Sequence, residues 1–258
     1  MGKQKWIAAV LMLMFGHFNA MAQENSVDQE LALADSLYAA FNSQAALRHY
    51  LNVLEMEPTH YHALIKATRS YIDVGRQADS KEQKKALFSR ADSLARKLVE
   101  LYPDSAESHF MLAMAIGRMA EFTGGKTKIR LSKEIKAEAE KALAINPRHD
   151  GAYHILGRWH YEIATLSWFL KAAAKVIYGG VPPGASIEQA AEMFAKAVEY
   201  APEKPVHRLE YAQVLIKLKQ YDKAREELQK VLELDEIYWD DSMNKQKART
   251  LLEKIKNK

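Results

Sequence analysis

Apolar residues recur along the chain at the three- and four-residue spacing of amphipathic helices, and this pattern itself repeats. The clearest copy spans residues 205–236. Its first helix places Ala212 beside Tyr211, and its second helix carries a small and then a large residue at Ala224 and Leu228. A small residue lets two helices approach closely, whereas a bulky one would push them apart. The pattern therefore predicts a helix-turn-helix pair that packs through these positions.

The same frame fits four upstream stretches, so the pattern predicts five units. The first helix of each unit has a small residue at the equivalent position, namely Ala34, Thr68, Ala113, Gly157 and Ala212. The packing positions of the second helices upstream are Ala46, Tyr50 and Val53; Ala91, Ala95 and Leu98; Ile135, Ala139 and Ala142; and Ala190, Phe194 and Ala197. A proline follows each of these second helices, at Pro58, Pro103, Pro147 and Pro202. All these features serve packing or helix termination, so the repeat predicts a scaffold.

A helix-turn-helix unit that recurs about every 34 residues is typical of tetratricopeptide repeats, and five units exceed the roughly three needed for stability. We therefore predict an all-α, tetratricopeptide-like, right-handed superhelical array over residues 23–258. Residues 240–256 continue the helical pattern and are predicted to form a capping helix. Its apolar positions are Met243, Ala248, Leu251, Leu252 and Ile255.

Three units depart from a plain array. Between the first and second helix, units two, three and four are longer than a simple connection by about 11, 10 and 20 residues. Ser80 with Gln83 and Ser186 with Gln189 match the S-x-x-Q capping box, in which each side chain satisfies a backbone N–H at a helix start. They predict that a helix begins on the far side of the second and fourth insertions.

The N-terminus has the pattern of a signal peptide. Lys3 and Lys5 precede an apolar run over residues 6–18, and small residues two apart lie at residues 20–22. We expect cleavage after Ala22 and export, to the periplasm if the organism has two membranes. The alternative is an uncleaved anchor, although the apolar run is short against the roughly 20 residues that span a bilayer as a helix.

Charge and cysteine content exclude several classes of protein. Without the predicted signal peptide over residues 1–22, which carries two Lys and no acid, the formal charge falls from +4 to about +2. A general nucleic-acid binder is usually more basic, so we expect no nucleic-acid partner. The absence of cysteine excludes disulfides, thiol nucleophiles, cysteine zinc sites and the acylated cysteine of a bacterial lipoprotein.

Three segments in the C-terminal 60% of the chain resemble the regulator of microtubule dynamics family: GGKTKIRLSKEIKAEAEKALAINP at 124–147, GRWHYEIATLSW at 157–168 and VPPGAS at 181–186. The resemblance implies a helical tetratricopeptide-like domain without established catalytic residues. For the animal members it also implies an association with microtubules or membranes. Because the signal peptide predicts export away from tubulin, we do not transfer the microtubule role.

Two motifs suggest chemistry, and the predicted fold argues against both. Residues 120–127, AEFTGGKT, match a relaxed phosphate-loop pattern, but a phosphate loop follows a β-strand and this one follows a predicted helix. Its basic residues are then expected to face solvent. The closest histidine sets, His60 with His62 and His154 with His160, lack a third ligand at a helical metal-site spacing. We expect no metal, no cofactor and no enzymatic activity.

Residues 159–178 are rich in aromatic side chains and carry only three charges. Three interpretations remain open. An extended first helix of unit four could cover neighbouring repeats, the segment could lodge in a partner, or it could lie on a membrane.

Arrays of this kind commonly bind ligands on the concave wall formed by their first helices. The repeat frame predicts that groove, and the residues chosen for it are Arg69, Phe110, Met114, Arg118, His154, Arg158, Tyr161, Glu162, Gln213 and Lys217. Arg69, Arg118 and Arg158 recur beside aromatic residues, which favours a partner peptide or protein segment with an acidic group or a free carboxyl terminus. The alternatives are solvated arginines without a ligand, or a small-ligand receptor or enzyme of unknown chemistry on the same scaffold.

Overall fold

The computed structural model describes residues 26–167, 171, 175, 180 and 182–258. Within these ranges the chain forms no strand, and eleven helices have defined bounds there. They are α1 (residues 26–39), α2 (Ser43–Met56), α3 (Tyr61–Gln77), α4 (Lys81–Leu101), α5 (Ala106–Ala120), α6 (Gly125–Ile145), α7 (Asp150–Thr165), α8 (Ile187–Tyr200), α9 (Pro205–Lys217), α10 (Tyr221–Glu233) and α11 (Asp241–Lys254). The predicted signal peptide lies outside the described residues.

The helices pair as the repeat frame predicts, into five units followed by the capping helix α11. The small first-helix residues Ala34, Thr68, Ala113 and Ala212 are all buried, as are the second-helix triplets apart from Ile135, which is partly buried. The first helices α3, α5, α7 and α9 also contact one another in series. They form a continuous inner wall, and the second helices lie behind it. The all-α, tetratricopeptide-like array is confirmed.

Gly157 shows why the small positions matter. A Cβ atom at Gly157 would lie 2.9 Å from Cδ2 of Phe194, because the ring of α8 packs directly against the backbone of α7. A similar approach that the repeat frame does not predict occurs at Gly151, where a Cβ atom would lie 2.6 Å from Cε2 of Phe110. At both places a phenylalanine ring of one helix packs directly on a glycine of another, where any side chain would force the helices apart.

The insertions in units two and three are helical rather than irregular. Helix α3 continues nine residues past Thr68, whereas α9 continues only five past Ala212. Helix α4 begins ten residues before Ala91, and its start has the predicted capping box, with Gln83 N donating to Ser80 Oγ at 3.1 Å and Ser80 N donating to Gln83 Oε1 at 3.4 Å. The extra residues thus lengthen the helical hairpin by about two turns, and the connections themselves stay short.

The ends of the second helices follow the prolines. Helices α2, α4, α6 and α8 end two residues before Pro58, Pro103, Pro147 and Pro202. Proline disfavours the helical conformation of the residue before it, so each helix ends ahead of that position.

Unit four and the cap differ from expectation in two details. Helix α7 ends at Thr165, so the interpretation of residues 159–178 as an extended first helix is wrong. Within that segment Lys171 and Lys175 are again helical, and the other residues after Ser167 lie outside the described part. Ala248 of α11 and Ile255 directly after it are buried, but Met243 is 53% exposed and does not help to cover the last repeat. Among the described residues no helix is both long and apolar enough to cross a membrane.

Candidate binding groove

The wall of the groove is built from one face of α3, α5, α7 and α9. Because residues three or four apart share a helix face, α3 presents Arg69, Asp73 and Arg76 in succession. Helix α5 adds Arg118, and α7 adds Arg158. These five side chains form a row, in which each lies within electrostatic range of at least one other.

The α3 end of the row is a buried network of charges and aromatic rings. The Arg69 guanidinium lies 5.6 Å from the ring centre of Phe110, and its Nη2 lies 3.9 Å from Glu107 Oε1. Asp73 is buried and accepts a hydrogen bond of 2.8 Å from the Tyr38 hydroxyl. Burial raises the pKa of Asp73, while Arg69 and the Tyr38 hydrogen bond oppose that rise. The network makes Arg69 part of the wall rather than a freely solvated side chain.

Arg76 continues this network and was not among the residues that the sequence suggested. Its Nη2 donates to Asp240 Oδ2 at 2.6 Å, and its guanidinium lies 4.9 Å from the ring centre of Trp239. Asp240 and Trp239 belong to the connection between α10 and α11, which is 164 residues away in sequence. The end of the array therefore reaches back across the groove to unit two.

Arg118 lies between two other arginines. Burial lowers the pKa of Arg118, and the positive charge of Arg76 lowers it further, followed by that of Arg158; Glu121 opposes both. Glu121 Oε1 lies 2.9 Å from Arg118 Nη1, and Glu162 Oε1 lies 2.7 Å from Arg158 Nη2. Arg76, Arg118 and Arg158, from units two, three and four, thus lie within electrostatic range in sequence and form the positive part of the row, which we call the arginine row.

His154 lies beside this row in a chain of three side chains. Its Nδ1 is 3.0 Å from Nδ1 of His207, whose Nε2 is 2.7 Å from Asp150 Oδ2. Burial lowers the pKa of both histidines. Although burial works against it, the hydrogen bonds from His207 and Lys204 hold the pKa of Asp150 well below its usual range. The histidines are therefore neutral and the aspartate is charged at neutral pH.

Several residues that the sequence placed in the groove pack between units instead. Phe110 is buried beneath Gly151, Met114 packs against two core clusters, and Tyr161 packs beside Phe194. Glu162 is exposed and paired with Arg158. At the C-terminal end of the wall, Gln213 Nε2 donates to Leu209 O of its own helix, and Lys217 is exposed. The structure therefore brings Arg69, Arg118, His154 and Arg158 together and leaves Gln213 and Lys217 apart from them.

Histidines join neighbouring units, a role that sequence reasoning missed. An acid on one first helix meets a histidine at the start of the next in three places, with closest distances of 3.0 Å for Asp35 and His62, 3.1 Å for Glu107 and His149, and 2.7 Å for Asp150 and His207. His60 and His149 also cap α3 and α7. The detectable signal was a histidine within the first residues of each of these helices.

The phosphate-loop match and the remaining histidines occupy structural positions in the fold. The phosphate-loop match begins at the end of α5, as predicted, and the basic residues in it and directly after it, Lys126, Lys128 and Arg130, are exposed. His160 is buried on α7, away from the row. In the described part of the chain, no three His, Asp or Glu side chains are grouped to hold a metal ion.

Comparison with known proteins agrees with this architecture. The model of the family described as "Regulator of microtubule dynamics protein 1-3" matches residues 31–256. The chain belongs to the regulator of microtubule dynamics family. The match includes the N-terminal units, where the sequence alone supported only the repeat.

Two curated relatives in the family show how far this chain has diverged from them in sequence and in length. Regulator of microtubule dynamics protein 3 of Xenopus laevis is 29% identical over 182 residues, which are 68% of this chain and 39% of that protein. Regulator of microtubule dynamics protein 1 of Mus musculus is 30% identical over 177 residues, which are 68% of this chain and 57% of that protein. This family member therefore spans between about two fifths and three fifths of their length.

Solved structures support the fold. A thermophilic TPR protein of Thermus thermophilus superimposes with a TM-score of 0.65 at 17% identity, over 87% of this chain and 99% of that one. PilF of Pseudomonas aeruginosa gives 0.51 at 16% identity, over 91% and 93%. At these identities the likeness concerns the tetratricopeptide-like fold alone.

Proposed function

We propose that this family member is an exported protein-interaction module that binds an acidic segment of a partner protein in the groove formed by its first helices. The array offers an elongated wall of helices, which suits a peptide or protein segment better than a compact small molecule. The segment would be an extended or helical peptide that carries carboxylate groups.

The arginine row Arg76, Arg118 and Arg158 is the observation that carries this proposal. Guanidinium groups bind carboxylates through two parallel hydrogen bonds, so arginines in series match acids in series. The carboxylates that now pair with Arg118 and Arg158 are their own helix neighbours Glu121 and Glu162, which are 52% and 60% exposed. Each carboxylate lies one turn along the same helix from its arginine, and such helical pairs are worth only about 0.3–0.5 kcal/mol, so a partner's carboxylate can replace them at little cost.

The proposed location depends on the N-terminal segment over residues 1–22. A cleaved signal peptide would place the array outside the cytoplasm, so its partner would be a protein of the cell envelope rather than tubulin. Fractionation followed by N-terminal sequencing tests this. The mature chain should begin at Gln23 in the periplasmic fraction, and an intact N-terminus in the cytoplasm would contradict export.

The double variant Arg118→Ala with Arg158→Ala tests the groove. In pull-down after crosslinking in native cell envelopes, it should lose most of the protein neighbours captured by the wild type. Among the described residues, each arginine pairs only with a carboxylate of its own helix, and the substitutions relieve the repulsion between the two positive charges, so the melting temperature should change little. Crosslinked neighbours are identified by mass spectrometry.

A matched control removes the same amount of positive charge elsewhere. Lys126→Ala with Arg130→Ala changes two exposed residues near the start of α6, outside the groove. This control should capture the wild-type set of neighbours. If the groove variant and the control behave alike, the groove is not the binding site.

A further inference from the structure

A turn of the chain lies in the part of the groove formed by unit two. We call residues 237–240 the cross-groove turn. Asp240 pairs with Arg76 at 2.6 Å, and the Trp239 ring lies under the same guanidinium, 4.9 Å from it. Tyr238 lies within electrostatic range of Tyr38 and Arg69. Three consecutive residues thus face the inner wall.

The cross-groove turn is held in shape by its own local contacts. Asp241 is fully buried, and its Oδ2 accepts hydrogen bonds from the backbone N–H groups of Ile237 at 3.0 Å and Tyr238 at 2.8 Å. Asn244 Nδ2 donates to the other oxygen of Asp241 at 3.1 Å. The start of α11 therefore presents Tyr238, Trp239 and Asp240 toward α3 in a fixed order.

The fit of the turn on the wall is incomplete. The Trp239 indole Nε1 is buried and has no hydrogen-bond acceptor among the described residues. A buried donor without an acceptor is costly, because it has lost its bond to water. The indole nevertheless lies near enough to Asp73 to favour its charged form. Displacing the turn would return the indole N–H to solvent, where water can accept its hydrogen bond.

We propose that the cross-groove turn is an internal ligand, and that the partner segment displaces it by presenting the same chemistry, an aromatic residue followed by an acidic one. Arg76 would bind both residues of this motif, because a guanidinium can stack on an aromatic ring and donate hydrogen bonds to a carboxylate. This inference rests on the proposed function and adds the identity of the partner motif. It also makes unit two a second recognition point beside Arg118 and Arg158.

A peptide of residues 235–241, DEIYWDD, supplied in trans to the full mature chain tests the proposal. Its binding is followed by fluorescence anisotropy of a label on the peptide. The release variant carries Trp239→Ala with Asp240→Asn, which removes the internal ligand and leaves the wall intact. An internal ligand competes at a high effective concentration, so the release variant should bind the peptide at least about tenfold more tightly than the wild type.

Two controls define the site. In the release background, Arg76→Ala should abolish peptide binding, whereas Arg130→Ala, which removes an exposed arginine of α6, should not. The same peptide with Trp239→Ala and Asp240→Asn should not bind any of these chains. A variant with Met243→Ala and Glu253→Gln, both exposed on α11, should bind the peptide as weakly as the wild type.

Equal binding by the wild type and the release variant, or no binding by either, would overturn the proposal. If the double substitution prevents cooperative melting, Asp240→Asn alone replaces it and must show a gain in the same direction. The assay uses purified chain and a defined peptide, so its result does not depend on capture of a native partner. The two proposals can fail separately. If the release variant binds the peptide tightly but the double variant of Arg118 and Arg158 still captures the wild-type neighbours, the proposed function is wrong and the internal-ligand motif stands.

Discussion

At position 157 the ring of Phe194 leaves no room for a side chain. A methyl group there would meet Phe194 at 2.9 Å, and overpacking of a core typically costs about 1–3 kcal/mol. Alanine recovers up to about 1 kcal/mol of helix propensity over glycine, so the clash outweighs the gain. Gly157→Ala should therefore lower the free energy of unfolding by about 1 kcal/mol in urea denaturation.

Gly117 provides the matched control for that substitution. It lies inside α5, and no heavy atom of the described residues, apart from the backbone of its own helix, would lie within 4 Å of an added methyl group. Gly117→Ala should raise the free energy of unfolding by up to about 1 kcal/mol. Equal effects at the two glycines would mean that Phe194 does not pack on α7.

His154 and His207 should make the fold sensitive to mild acid. Burial lowers the pKa of each, so the unfolded chain binds their protons first as the pH falls below about 6.5. Their contribution to stability is complete above that pH and is lost below it. The melting temperature should thus fall between pH 7.5 and 5, a window above the one in which Asp150 protonates.

The variant His154→Phe tests that assignment. It retains an aromatic ring against Phe194, which the histidine ring contacts edge-on with centres 5.3 Å apart, and removes one titrating group. Its melting temperature should fall less than that of the wild type over the same pH range. An identical fall would show that other groups cause the acid sensitivity.

At the scale of helices, His149 performs two tasks that can be separated. It caps α7, with its Nδ1 accepting from Ala152 N at 3.2 Å, and it lies 3.1 Å from Glu107 of the preceding unit. Asparagine is a good capping residue but is too short to keep the contact with Glu107. His149→Asn should therefore cost about 1 kcal/mol of unfolding free energy, the usual worth of one hydrogen bond.

His60 is the control for His149, because it caps α3 in the same way through Ala63 N. The structure gives His60 no ion pair to a neighbouring unit within the described residues. His60→Asn should leave the denaturation midpoint almost unchanged. A loss at His60 as large as that at His149 would assign both effects to capping.

The elements that the sequence predicted well are those set by local patterns. Small residues at fixed spacing, prolines after the second helices and the Ser80 capping box each act within a few residues of where they stand, and each is confirmed. The insertions were harder to predict, because a polar helical hairpin and a polar loop differ little in composition. Pairing between units, as at Asp35 and His62, depends on how repeats stack and has no local signature.

At the scale of the whole molecule, the curvature of the array explains why only part of the candidate site could be predicted. The repeat frame tells which residues share a helix face, so it found Arg69, Arg118 and Arg158. It does not tell how far the superhelix curves, since that angle is the sum of small rotations between units. The return of the chain from Asp240 to Arg76 depends on this sum, which is why Arg76 and the cross-groove turn were missed.

The closure across the groove can be measured by a double-mutant cycle on Arg76 and Asp240. The pair is only partly exposed, at 32% and 12% for the two side chains, and each partner stands on a separate element. Arg76→Ala and Asp240→Ala should each destabilise the chain, and the double variant should lose less than their sum. We expect a coupling energy of about 1 kcal/mol, which is within the range found for residues in direct contact.

Lys196 and Glu199 form the control pair for this cycle, because they are one turn apart on α8 and exposed at 40% and 56%. Their coupling should stay below about 0.5 kcal/mol, as for other exposed helical pairs. A coupling for Arg76 and Asp240 no larger than this would mean that the array is open in solution. The groove would then run past unit two without an internal ligand, and a peptide from the cross-groove turn would have no competitor to displace.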